Sequence, residues 1–226
     1  MAQQSTGTCG FCNGSFSKAA MTRHLQSCVE RKAASVSRGP GAKKANVFHL
    51  VVEGRYSTAY WMHLEAPDTA TLEALDHLLR RAWLECCGHL SQFEIQGQSY
   101  ISYTPEDIWD EGGRSMRVPL AKILGPKMKF HYEYDFGSTT ELTLKVVSEQ
   151  AAEGAGKSIR ILARNNPLKI TCDVCGGGEA VAVCSECQYS EGGWLCKKCA
   201  KKHKCSQEML LPVVNSPRVG VCGYTG

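Results

Sequence analysis

An α+β fold is what the sequence predicts: a mixed or antiparallel sheet with one main helix, and a small cysteine-rich module towards each end. Three observations predict it. Several segments between residues 47 and 165 are rich in β-branched and aromatic residues or alternate apolar with polar. A single stretch from residue 71 repeats its apolar residues at three- and four-residue steps. Most of the thirteen cysteines come as Cys-x2-Cys pairs outside that central region. A chain of 226 residues with 43% hydrophobic and 21% charged residues has room for one ordinary domain plus small attachments.

The first module occupies residues 1–30 and carries Cys9-x2-Cys12-x11-His24-x3-Cys28. Two cysteines on a tight knuckle and two donors four residues apart on a helix converge on one tetrahedral ion, and the spacing points to zinc. Disulfides are the alternative, but they belong to exported chains. The opening MAQQSTGTCGFC lacks a basic stretch followed by an apolar one, and no apolar run approaches the ~20 residues that cross a bilayer. The expectation is a cytoplasmic protein with no membrane partner.

The Cys9–Cys28 motif resembles a Cys-Cys-His-Cys variant of the common DNA-binding zinc finger, with a spacer one residue short and cysteine as the last ligand. The resemblance implies a ββα unit with Phe16 and Met21 as its small core. It also places Ser17, Ala20 and Arg23 at base-facing positions, of which Arg23 is a strong base reader. Residues 31–45, RKAASVSRGPGAKKA, read as a basic linker. Residues 1–45 hold seven Lys/Arg against one acid. Lys18, Arg23, Arg31, Lys32, Arg38, Lys43 and Lys44 are therefore candidate nucleic-acid contacts, through phosphates without sequence choice. The competing expectation is a finger that docks onto protein, followed by a solvated linker.

The central region, residues 46–168, reverses the charge balance, with fourteen acids against nine bases over 46–148. VFHLVVEGRY (47–56) and TAYWMHLEA (58–66) read as strands. Asp68 or Thr69 is expected to cap a helix starting near Thr71. Its apolar face is Leu72, Leu75, Leu79, Ala82, Trp83 and Cys86, and Gly88 stops it. QFEIQGQSYIS (92–102) predicts a hairpin around Gly97. In KMKFHYEYDF (127–136), Phe130, Tyr132, Tyr134 and Phe136 face one way and His131, Glu133 and Asp135 the other. ELTLKVV and SIRILAR predict two further strands around a Gly/Ala loop.

The last module, residues 169–210, reads Cys172-x2-Cys175-x8-Cys184-x2-Cys187-x8-Cys196-x2-Cys199-x3-His203-x-Cys205. Eight donors in four pairs suit two ions with four ligands each, paired either sequentially or in an interleaved way. The unit resembles the B-box and MYND zinc modules. That resemblance implies the interleaved sets Cys172, Cys175, Cys196 and Cys199 on one ion and Cys184, Cys187, His203 and Cys205 on the other. Its His-x-Cys spacing departs from both families. A segment of some forty residues cannot bury enough apolar surface to fold alone, and metal binding supplies the missing free energy. With every ligand position filled by protein, the zinc is expected to be structural, about three ions per chain. Lys197, Lys198, Lys201, Lys202 and Lys204 crowd this segment. They either offset the thiolate–zinc centres or touch nucleic acid. Residues 211–226 are expected to form an extended tail.

From Val47 to about Asn166 the chain is similar to the plasmid pRiA4b ORF-3-like family. TAYWMHLEAP, TLEALDHLLRRAW, HLSQFEIQGQSY and FHYEYDFGST carry the resemblance, with Tyr134-Asp135-Phe136-Gly137 its distinctive part. The family pattern continues with acids, a tryptophan and a histidine, where this chain reads Ser138-Thr139-Thr140-Glu141. The resemblance implies an α+β fold and no particular reaction. His131, Glu133 and Asp135 read as the wet face of a strand rather than a metal site. Gly156-Lys157-Ser158 lacks the preceding glycine and following helix of a phosphate-binding loop. Cys86 and Cys87 read as buried thiols, and His49, His63, His77 and His89 as structural.

The formal charge of +4 says little about partners, because each ligated thiol loses a proton and each ion adds two charges. The reading is a non-enzymatic zinc adaptor with a protein partner and no small-molecule substrate. The alternatives are a mobile-element nucleic-acid-binding protein, acting on DNA or RNA through the finger and linker, and a metal-dependent nuclease. No acid/base or nucleophile constellation supports catalysis.

Overall fold

The computed structural model describes residues 5–36, 44–102, 113–153, 158–190 and 192–226. The chain divides into two compact units: residues 1–80 with 90–166, and residues 81–89 with 167–226.

The first unit is built on one ten-stranded sheet. In chain order its elements are β1 (Thr6–Cys9), β2 (Ser15–Ser17), α1 (Lys18–Ser27), α2 (Val29–Val36), β3 (Lys44–Gly54), β4 (Trp61–Pro67), α3 (Leu72–Leu79), β5 (Ser91–Ile95), β6 (Gln98–Ile101), β7 (Arg114–Ser115), β8 (Lys129–Tyr134), β9 (Thr140–Glu153) and β10 (Arg160–Asn165). The strand order is β2-β1-β10-β4-β3-β9-β8-β5-β6-β7. All pairings are antiparallel except β6 with β7. The α+β class stands, with a mixed sheet. The expectation of one main helix does not, because α1, α2 and α3 have 10, 8 and 8 residues.

Local chemistry explains the elements. Alternation along β8 buries Phe130, Tyr132 and Tyr134 while Lys129 points outward. Leu50, Val52, Met62, Leu64, Leu142, Leu144 and Val146 fill the middle of the sheet. Each such side chain contributes about 1.5–3 kcal/mol by leaving water. The β5–β6 hairpin turns on Gln96 (φ 53°) and Gly97 (φ 76°), the two left-handed residues a tight two-residue hairpin loop needs. The cap of α3 is Thr71, whose side chain accepts from the Ala74 backbone N–H at 3.2 Å, rather than Asp68 or Thr69. Helix α3 passes into a π-helical turn, Arg80–Leu84, from which Arg81 onward belongs to the second unit.

Two differences from expectation have clear causes. The segment expected as a linker from residue 31 begins as helix, through Val36, with Arg31 buried. Residues 37–43 lie outside the described residues. The strand expected through Phe136 ends at Tyr134, because Asp135 is left-handed (φ 65°) and its carboxylate accepts from the backbone N–H groups of Gly137 and Ser138 at 3.0 and 3.2 Å. This Asx-type turn leaves Phe136 exposed instead of in line with Tyr132. The two strands after it are not partners of each other: β9 lies between β3 and β8, and β10 between β1 and β4.

The second unit has a three-stranded antiparallel sheet of β11 (Ala182–Cys184), β12 (Trp194–Leu195) and β13 (Leu210–Pro212), with β11 in the middle. A four-residue helix, α4 (Lys197–Ala200), follows β12. The tail after β13 is a run of turns rather than extended chain. It buries Ser216, Arg218, Val219 and Tyr224.

Candidate metal centres

The first donor set is assembled by the β1–β2 hairpin and α1. Cys9 ends β1, Cys12 lies in the following knuckle, His24 is in the last turn of α1, and Cys28 is its C-cap. The knuckle is closed by the Cys9 N–H on Gly14 O (2.9 Å) and the Asn13 N–H on Cys9 O (3.0 Å), and the Gly14 N–H points at Cys12 Sγ (3.4 Å). Ser17 starts α1 as its N-cap, which engages the hydroxyl expected at a base-facing position. The four donor atoms lie within 4.8 Å of one another, with Cys12 Sγ 3.2 Å from His24 Nε2. Phe16 stacks on the His24 ring at 4.1 Å and 19°, which fixes the imidazole.

The hairpin that carries this donor set is part of the large sheet. Strand β1 pairs with β10, setting Gly7 opposite Asn165 and Cys9 opposite Ala163. The register of β10 against β4 shifts at Leu162, a bulge whose carbonyl accepts the Gly10 N–H at 2.8 Å. Cys9, Met21, Leu25, Cys28, Trp61, Leu162 and Ala163 form one apolar cluster, with Phe16 packed against it. The small core built on Phe16 and Met21 is thus completed by the sheet. Gly7 permits the close approach: a Cβ there would collide with the Arg164 carbonyl oxygen and the Trp61 indole.

In the second unit the donors group as Cys172, Cys175, Cys196 and Cys199, and as Cys184, Cys187, His203 and Cys205. This is the interleaved arrangement. It arises because β11 lies beside β12, which brings the start of α4 back to the first knuckle. Cys175 Sγ is 3.8 Å from Cys196 Sγ, while Cys187 Sγ is 3.6 Å from both Cys205 Sγ and His203 Nε2. A zinc ion with Zn–S of about 2.3 Å and Zn–N of about 2.0 Å has tetrahedral edges of about 3.8 Å (S···S) and about 3.5 Å (S···N). A disulfide would need about 2.05 Å. All thirteen cysteines are free thiols.

The acidities within each set are split. The backbone N–H of Cys196, outweighing burial, holds Cys172 down to about 6. Burial raises Cys184, but the N–H of Cys187 and the His203 side chain overcome it, to about 7. Burial and then hydrogen bonds from Cys196, Cys172 and Cys175 push Cys199 up to about 12. The Cys187 side chain and then burial push Cys205 up to about 12, and burial pushes Cys28 to about 11. Packed thiols without a cation cannot all ionise. A dication reverses that balance, so these sets suit a metal that takes thiolates.

The cations proposed to meet phosphates are unevenly placed. Lys18 is ion-paired with Glu53. Arg31 is buried, donating to Glu65 at 2.9 Å and to Leu25 O at 2.6 Å, so it is a strut between α2 and β4 rather than a surface charge. Arg23 and Lys32 are exposed. Arg38 and Lys43, and the side chain of Lys44, lie outside the described residues, as does Lys157. Lys197, Lys198, Lys201, Lys202 and Lys204 are all exposed around α4. His131 faces Thr143, Glu133 accepts from Gln92, and Asp135 holds its own turn.

Three features escaped the sequence reading. Asp76 is buried on α3 and accepts from Tyr132 Oη (2.7 Å), Ser91 Oγ (2.6 Å) and Arg80 Nε (2.8 Å). His49 and His63 are buried together, Nε2 to Nδ1 at 2.9 Å. Cys87, expected to be buried, is exposed, and with Cys86, His89 and Cys222 it makes a fourth donor set. The first two were hidden among helix and strand positions with no local motif. The third joins residues too distant for any spacing rule.

A search among curated proteins finds no match to the chain. Among solved structures, a crystal structure of a protein of unknown function from Methanosarcina mazei Go1 aligns with a TM-score of 0.46 and 18% identity, covering 54% of this chain and 71% of that one. The family model for plasmid pRiA4b ORF-3-like protein matches residues 47–177, from within β3 to just past the first knuckle of the second unit. Spanning more than half of the sequence, that match makes the chain a member of the plasmid pRiA4b ORF-3-like family.

Proposed function

We propose that the protein is a non-enzymatic zinc-binding adaptor, whose metal centres are structural and whose work is done by the surfaces they hold in place. The observation that carries this reading is the saturation of each donor set: four protein ligands within 4.8 Å leave no position for water or substrate. The finger's first strand is hydrogen-bonded into the sheet and its core is shared with Trp61 and Leu162, which favours docking onto protein over reading DNA. Val174 and Tyr189, at 60% and 81% exposure, stand out from the knuckles of the second unit as apolar contacts for a protein partner.

The experiment is substitution of zinc by cobalt. Saturated thiolate sites give tetrahedral cobalt spectra that do not respond to added azide or cyanide. A spectral response would mean an open coordination position and would reopen catalysis.

A second reading has its own observation. Five exposed lysines between residues 197 and 204 form a basic patch that can meet nucleic-acid phosphates without sequence choice. In the finger-and-linker version Lys18 and Arg31 are engaged in ion pairs, while Arg23 and Lys32 remain exposed. Labelled RNA or DNA that shifts with the protein at low salt and loses affinity steeply with added salt would favour it, provided that Lys→Glu changes at Lys198, Lys201 and Lys202 abolish the shift.

A further inference from the structure

We propose that Cys86, Cys87, His89 and Cys222 form a fourth zinc site, which clasps the C-terminal tail to the turn after the π-helical segment. The proposal rests on the structural-zinc reading of the other three sets and extends it to the three cysteines they leave over. With these, every one of the thirteen cysteines belongs to a four-donor set.

The geometry is that of a tetrahedral site. The four donor atoms lie within 4.8 Å of one another. Cys87 Sγ is 3.9 Å from Cys222 Sγ, and His89 Nε2 is 3.4 Å from the same sulfur. These match the S···S and S···N edges expected around zinc, about 3.8 and about 3.5 Å. Three donors within four residues converge because Gly88, between them, is left-handed (φ 75°) and its N–H is held by Glu85 Oε1 at 2.6 Å.

The far donor is delivered by a built path. Ser216 Oγ donates to Trp83 O at 2.6 Å and accepts the Arg218 N–H at 2.9 Å. Gln188 Nε2 donates to Gly220 O at 2.6 Å. Cys222 then sits at φ 49°, a conformation costly for a residue with a side chain and tolerated where something holds it. The fully buried Arg218 points its guanidinium at Cys86 Sγ, 3.4 Å away, where a positive donor stabilises a metal-bound thiolate.

The site differs from the other three in access. Cys87 and Cys222 are exposed, whereas each of the other sets has at least one buried cysteine. The ligand class is a d10 ion that takes thiolate and imidazole, with zinc first and cadmium or copper(I) able to compete. This ion should be the first to leave and the first to exchange.

The test begins with metal analysis of the reduced, zinc-replete full chain. Four zinc ions per chain are expected, and three in the Cys87→Ser/Cys222→Ser variant. Three in both proteins overturns the fourth site while leaving the other three intact, and a folded metal-free chain overturns both. A second measurement needs no variant: the rate of alkylation of Cys87 and Cys222 by iodoacetamide, read by peptide mass spectrometry. Zinc loading should slow both by about tenfold or more, and a limiting dose of chelator should release these two before any other cysteine. Unchanged rates with and without zinc overturn the proposal.

Discussion

Replacing Asp76 with alanine removes the acceptor on which the buried Tyr132 and Ser91 hydroxyls and the half-buried Arg80 converge. Asp76 is 2% exposed, and Tyr132, whose hydroxyl it accepts at 2.7 Å, is fully buried. Its position raises Tyr132 well above the usual phenol range, through burial first and the Asp76 charge second. Arg80 loses its carboxylate but keeps Ser91 Oγ and Ser102 Oγ at 2.8 and 3.2 Å and the face of Tyr134. Breaking a buried ion pair from one side costs about 3–5 kcal/mol, and an orphaned buried hydroxyl adds about 1–3 kcal/mol. The Arg80 side chain is 13% exposed and partly compensated, so the sum should fall near its low end, about 4 kcal/mol. Urea unfolding followed by tryptophan fluorescence, with zinc saturating throughout, should show the midpoint falling by about 1–2 M. Asp76→Asn keeps one acceptor and should lose less. In a double-mutant cycle, Asp76→Ala and Tyr132→Phe should couple by more than about 1 kcal/mol. A loss below about 1 kcal/mol for Asp76→Ala, or no coupling to Tyr132, would refute this account of how α3 is locked onto β5 and β8.

Gly7→Ala should loosen the finger from the sheet, costing about 1–3 kcal/mol, since its methyl meets a backbone carbonyl and a buried indole; hydrogen exchange at β1 is the readout. The buried histidine pair should make the protein acid-sensitive. Burial first, with Arg31 adding to it against Glu65, lowers His49 to about 4, and burial with His49, Lys18 and Arg31 lowers His63 to about 3. Both pKa values lie below the unfolded 6.5, so the stabilisation is complete above that pH. It is lost as pH falls from 6.5 towards 4, by up to about 1.4 kcal/mol per unit for each ring. A His49→Gln/His63→Gln variant shares the wild type's metal ligands and should lose less stability over that window; equal losses would count against the pair. Zinc removal by a strong chelator should unfold the second unit, whose two described three-residue strands and one two-residue strand offer little apolar burial, and far-UV circular dichroism that does not change would contradict that.

The legible parts of this molecule are those whose geometry is written over a few neighbouring residues. Cys-x2-Cys and His-x3-Cys place donors on one knuckle or one helix face, so spacing names the first donor set and the eight donors of the last module, while the division of those eight into two sets comes from the resemblance to B-box and MYND modules. The hairpin at Gln96-Gly97 and the alternation of β8 are local in the same way. Arg31 was misplaced because the glycine and proline beyond it suggest a linker, while its partner Glu65 is on a strand 34 residues away. Asp135 looked like one more outward residue of a strand, and only its left-handed turn separates Phe136 from the buried face. Cys222 lies 135 residues from Cys87, beyond any motif, and the buried role of Asp76 depends on strands that follow it.

The pairing of β1 with β10 covers what would otherwise be an edge of the sheet. Without the finger, β10 would present a row of unpaired backbone groups beside β4, a template onto which another chain could add. With it, the outermost strand is β2, three residues long and carrying Ser15 and Ser17. On the proposed zinc reading, an ion held by Cys9, Cys12, His24 and Cys28 would guard this edge against self-association, and metal-stripped protein should precipitate.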